Sequence, residues 1–131
     1  MRVANLMQSK KLTYIITMSY MFLILILTLK PGSKHGAHGI VSQIFFNILH
    51  IPTYAILAYL ILRCFSVISY KAYAASFVIS VLYGAFMEVL QMFVPLRSAS
   101  LMDIGLNSIG ILSALLFYHK LYAFRYPLNA N

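Results

Sequence analysis

The sequence predicts an all-α protein, a four-helix transmembrane bundle with both termini in the cytoplasm. Three observations carry that expectation. Apolar residues come in long blocks, and 62% of the chain is hydrophobic. Only 9% of the residues are charged, too few to clothe a soluble domain of this size. The basic residues stand at the ends of the apolar blocks rather than within them. A mean hydropathy of +0.86 agrees. The net charge of +8 would suggest nucleic acid as a partner for a soluble protein. Here the basic residues flank membrane blocks, so they read as orientation signals and no nucleic-acid partner is expected. Residues 1–131 are read as a single domain.

Taken in order, four blocks approach the roughly 20 residues that a membrane-spanning helix needs. The first, 12–29, follows Lys10 and Lys11. Its apolar run exceeds the usual signal-peptide core of about 7–15 residues, and "KPGSKHGAHG" after it lacks an A-x-A cleavage site, so it is expected to remain as a helix. The second, 40–62, ends at Arg63. The third, 72–94, ends before Pro95. The fourth, 101–118, ends before Lys120. A spanning barrel would need many short alternating segments, which are absent.

Basic residues set the orientation. Arg2, Lys10, Lys11, Arg63, Lys71, Lys120 and Arg125 fall on one side, and Lys30, Lys34 and Arg97 on the other. The richer side is cytoplasmic by the positive-inside rule, which sends the connections 30–39 and 95–100 outward. The single cysteine, Cys64, excludes an internal disulfide and a Cys-rich metal site, and its cytoplasmic position suits a free thiol. His35 and His38 form an H-x-x-H with no further ligands near in sequence, so they read as solvated loop residues and no metal is expected. No cofactor motif is present, and none is expected.

Polar residues recur on three of the helices at helical spacing. Gln43, Asn47, His50 and Tyr54 share a face of the second. Ser76, Ser80, Gly84, Glu88 and Gln91 share one of the third, and Asp103, Asn107, Gly110 and Ala114 one of the fourth. Lipid offers such side chains no partners, so the faces are expected to meet. Counted at 1.5 Å per residue, Glu88 lies about 10 Å and His50 about 15 Å from the outer helix ends. Asp103 and Asn107 occupy the first two turns of the fourth helix, with Arg97 in the loop above. Small residues at 80, 84, 110 and 114 permit close helix approach, within the chain or in a homo-oligomer.

The order of a helix-borne "H…Y", then "YGAFMEVLQ", "PLRS" and "DIGLNSIG", resembles the VanZ-like family of small bacterial membrane proteins. The match runs from His50 to about Gly110 and extends loosely over all four helices. The family often has an Asp-Lys pair before the helix 2 histidine; here the positions hold Phe46 and Asn47. The resemblance implies a multi-pass protein of the bacterial cytoplasmic membrane, with a founding member linked to low-level resistance to teicoplanin, a lipidated glycopeptide. No reaction comes with it.

Several functions stay open from the sequence. The pocket would bind a membrane lipid or a lipid-linked headgroup from the outer leaflet. In an enzyme, His50 and Glu88 would form an acid–base pair, with Tyr54, Gln91, Arg97, Asp103 and Asn107 lining the substrate site. In a binding or assembly factor the same pocket would be presented to a partner. In a proton-coupled transporter subunit, Glu88 would carry the proton. The two acids are expected to differ. Ser100-Leu-Met-Asp103 approximates a capping box, so Asp103 reads as the capping acid. Glu88 has no local cap to serve and reads as the functional acid.

Overall fold

A computed structural model describes residues 2–31, 47–95, 97 and 99–125. Four helices follow one another: α1 Arg2–Thr28, α2 His50–Cys64, α3 Tyr70–Gln91 and α4 Leu101–Arg125. Among the described residues there is no strand. Ser9–Thr28, Tyr70–Gln91 and Leu101–Phe124 are long and apolar enough to cross a membrane. Large apolar side chains such as Leu12, Phe22, Leu82 and Leu116 point outward, as a lipid-facing surface requires.

The helix bounds depart from expectation for local reasons. Residues 40–46 of the expected second helix, with Gln43 and Phe46, lie outside the described residues. The depth assigned to His50 rested on them. α1 begins well before residue 12, because the polar residues ahead of the apolar block favour helix and the helix simply continues past it. α4 runs past Lys120 to Arg125 for the same reason. α3 stops at Gln91, not at 94. Met92, Phe93 and Val94 donate to carbonyls only three residues back, which tightens the chain ahead of Pro95. Glu88 therefore sits in the last turn of α3, about 4.5 Å from its end rather than 10 Å.

Ser69 caps α3, its Oγ accepting the Ala72 N–H at 3.4 Å. α2 has its last-turn carbonyls held from outside. Lys10 Nζ donates to the carbonyls of Arg63 at 3.0 Å and Phe65 at 2.6 Å, and Tyr14 Oη donates to that of Cys64 at 3.1 Å. A cation there also faces the negative end of the helix dipole. α1 is tied to its neighbours near its other end too. Tyr20 Oη donates to the Thr53 carbonyl at 3.1 Å, and Tyr83 Oη to that of Met21 at 2.6 Å.

The core gathers where α2, α3 and α4 meet, around Leu57, Leu62, Met87 and Ile111, and α1 packs on its side. The α2–α4 contact is the most extensive, and Gly110 explains why. A Cβ added there would stand 2.1 Å from the Ile51 carbonyl oxygen. Only a residue without a side chain lets the two backbones come so close. Ser80, Gly84 and Gly110 are all buried within the chain, so these small residues serve its own packing. Any homo-oligomer would use another face.

Candidate functional site

The polar stripes of α2, α3 and α4 converge on one seam near the α2 start, the α3 end and the α4 start. Tyr54 is 3% exposed, Glu88 3%, Gln91 6% and Asn107 2%. His50 and Asp103 are half-buried, and Arg97 is exposed in the connection beyond α3. The packing follows from the sequence. Gly84 on α3 leaves the gap that Asn107 and Tyr54 fill, since a Cβ at Gly84 would lie 3.0 Å from Asn107 Nδ2 and 3.0 Å from Tyr54 Cε1.

At the centre, His50 Nδ1 and Asn107 Oδ1 are 3.0 Å apart. A carbonyl oxygen can only accept, so the ring nitrogen donates. In the neutral ring this leaves Nε2 as the proton acceptor. The ring also stacks toward Tyr54, one turn on along α2, with centroids 6.4 Å apart and planes 8° from parallel. Among the described residues His50 is thus held by a hydrogen bond to Asn107 and a ring contact with Tyr54.

Glu88 is engaged elsewhere. Its Oε2 accepts the backbone N–H of Ser100 at 3.0 Å. Ser100 Oγ in turn accepts the Asp103 N–H at 3.4 Å, so Ser100 caps α4 as expected. The second half of the expected box is different. The acid that serves the Ser100 amide is Glu88, from α3, and not Asp103. Asp103 Oδ1 is shielded from solvent and has no partner among the described residues. The expectation that Glu88 has no cap to serve is thereby overturned: it lies in the last turn of α3, directly across the connection from the start of α4.

The seam therefore brings His50, Tyr54, Glu88, Gln91, Asp103 and Asn107 into one region, with Arg97 outside it. Among the described residues His50 and Glu88 share no direct hydrogen bond; each is bonded to a different group. Asn107 Nδ2 is shielded and unpartnered, like Asp103 Oδ1. Ser100 is the participant that side-chain patterning misses, because it contributes its backbone amide. The apolar groove between α1, α2 and α3, about 310 Å³ between Thr17, Met21, Ile61, Cys64 and Ile79, belongs to a different part of the fold. Among the described residues no group of His, Cys, Asp and Glu could hold a metal ion.

No curated protein and no solved structure matches this chain. A family model described as VanZ/LLP1 matches residues 3–124, nearly the whole chain and all four helices. The chain belongs to the VanZ/LLP1 family.

Proposed function

We propose that this is a multi-pass protein of the bacterial cytoplasmic membrane whose polar seam binds a lipid or lipid-linked headgroup from the outer leaflet. Both termini lie in the cytoplasm in this reading, supported by the excess of basic residues at the α1 start, the α2–α3 connection and the α4 end. By binding there, the protein alters how the envelope meets amphiphilic antibiotics of the teicoplanin type, as the family resemblance implies.

The observation that carries the reading is a buried polar cluster at the membrane-facing ends of apolar helices. Burying Glu88, Gln91 and Asn107 among such helices is expensive unless each polar atom is hydrogen-bonded. Two of the cluster's polar atoms, on Asp103 and Asn107, find no partner among the described residues. Glu88 bonds to Ser100 and His50 to Asn107, which supports a preorganised binding site.

The test uses a strain lacking the protein, complemented with the wild type, His50→Ala or Asn107→Ala. Teicoplanin susceptibility, protein abundance and the full lipid profile are measured together. Binding predicts altered susceptibility that both variants lose at normal abundance, with an unchanged lipid inventory. A lipid or cell-wall precursor that is chemically converted only when His50 is present would favour an enzyme.

A further inference from the structure

Two atoms on α4 pose a specific chemical demand. Asn107 Nδ2 is a donor and Asp103 Oδ1 an acceptor, and both are shielded and unpartnered among the described residues. Asp103 and Asn107 are four residues apart, so they stand one above the other on a single face of the helix. They do not bond to each other, and His50 holds the Asn107 Oδ1 at 3.0 Å. A native fold seldom leaves such groups without reason, since a buried polar atom without a partner is costly.

The demand narrows the ligand. A phosphate or carboxylate can accept from Asn107 but is repelled by Asp103. An ammonium group can donate to Asp103 but has no lone pair for the Asn107 N–H. A hydrocarbon satisfies neither. An alcohol hydroxyl does both, accepting from Nδ2 and donating to Oδ1. Arg97, exposed in the connection that leads from α3 to the start of α4, supplies a cation for a phosphate at the mouth.

We infer that the seam takes a phosphate-linked polyol headgroup, with one hydroxyl seated between Asp103 and Asn107 and the phosphate at Arg97; the inference rests on the lipid-headgroup reading above. The shared chemistry belongs to a phosphoglycerol lipid and to a lipid-linked sugar phosphate alike. Both recognition atoms are out of contact with solvent, so admission takes a side-chain rearrangement of the kind common at binding surfaces. Once seated, the hydroxyl is out of water, where its hydrogen bonds are strong.

The experiment is native mass spectrometry of the full chain, equilibrated in phosphatidylcholine nanodiscs with one added probe at a time. The probes are phosphatidylglycerol, phosphatidic acid with the same acyl chains, and a polyprenyl phosphate carrying a sugar. Phosphatidylglycerol is expected to be retained at least about tenfold more than phosphatidic acid, the value of the hydrogen bond to the Asp103 carboxylate alone. Asp103→Ala and Asn107→Ala should each abolish that preference. Arg97→Gln, at an exposed position that leaves folding intact, should weaken both lipids equally and keep their ratio. Either polyol probe outranking phosphatidic acid supports the inference, and the stronger of the two identifies the source. Equal retention of the three probes, still dependent on Arg97, overturns the polyol inference while leaving the headgroup reading standing. No retention of any probe above phosphatidylcholine overturns both.

Discussion

Glu88 Oε2 accepts the backbone N–H of Ser100 at 3.0 Å, so an acid at the end of α3 completes the N-cap of α4. The bond spans twelve residues and fixes how the two helices meet at the mouth of the polar seam. It gives Glu88 a structural duty that a glutamine can also perform, because an amide oxygen accepts the same N–H. Glu88→Gln should therefore unfold in detergent within about 0.5 kcal/mol of the wild type, the range of benign substitutions. Glu88→Ala leaves the amide unpaired and should lose roughly 1–3 kcal/mol. An alanine variant as stable as the wild type would show that the bond contributes nothing.

The two glycines of α4 should respond in opposite directions to alanine. At Gly105 a Cβ meets nothing within 4 Å, so Gly105→Ala should stabilise the helix by roughly 0.5–1 kcal/mol. At Gly110 the Cβ would press on backbone atoms of Ile51, which cannot swing aside as a side chain can. Gly110→Ala should destabilise by about 1–3 kcal/mol or more. Thermal unfolding of both variants in the same detergent checks the α2–α4 contact. A tolerated Gly110→Ala would mean that the helices do not pack as described.

His50 and Asn107 should be energetically coupled. Each single alanine variant strands its partner's polar atom, whereas the double variant removes both. A double-mutant cycle on detergent stability should give a coupling of about 0.5–3 kcal/mol, the range for residues in one hydrogen-bonded network. Additive losses would place the two side chains out of contact.

Lys10 should matter for α1 docking. Its Nζ bridges the Arg63 and Phe65 carbonyls at the end of α2. Lys10→Met should lower stability by about 0.5–1.5 kcal/mol, while Lys10→Arg, which keeps donors and charge, should hold most of it. Hydrogen exchange at the α1 end near Lys10 gives the readout. No change in protection there would show that α1 is held by its apolar face alone.

The parts of this fold legible in the sequence are those encoded locally. Apolar block length gives four helices, and the spacing of His50 and Tyr54, of Gly84 and Glu88, and of Asp103 and Asn107 puts each pair on one face. What escaped is non-local. The Glu88–Ser100 bond obeys no spacing rule, and the local rule that does apply points to Asp103. The support of the α2 carbonyls by Lys10 and Tyr14 joins segments 50 or more residues apart, and nothing near Arg63 announces it. The early end of α3 at Gln91 reflects the pull of Pro95, which hydropathy does not register, and it moves Glu88 closer to the surface than a count from residue 94 implies.

The central claim is that the polar seam lies at the outer face of a cytoplasmic-membrane protein. Cysteine labelling tests it most directly. Cys64→Ser removes the native thiol, and the serine hydroxyl preserves a polar neighbour for Thr17 Oγ1, which lies 3.3 Å from Cys64 Sγ. Single cysteines then replace Arg97, beside the seam, and Val67, in the exposed connection between α2 and α3. A membrane-impermeant maleimide applied to intact cells should label Arg97→Cys and spare Val67→Cys until the membrane is opened. Labelling of Val67→Cys alone from outside would invert the topology, turn the seam toward the cytoplasm and contradict the account.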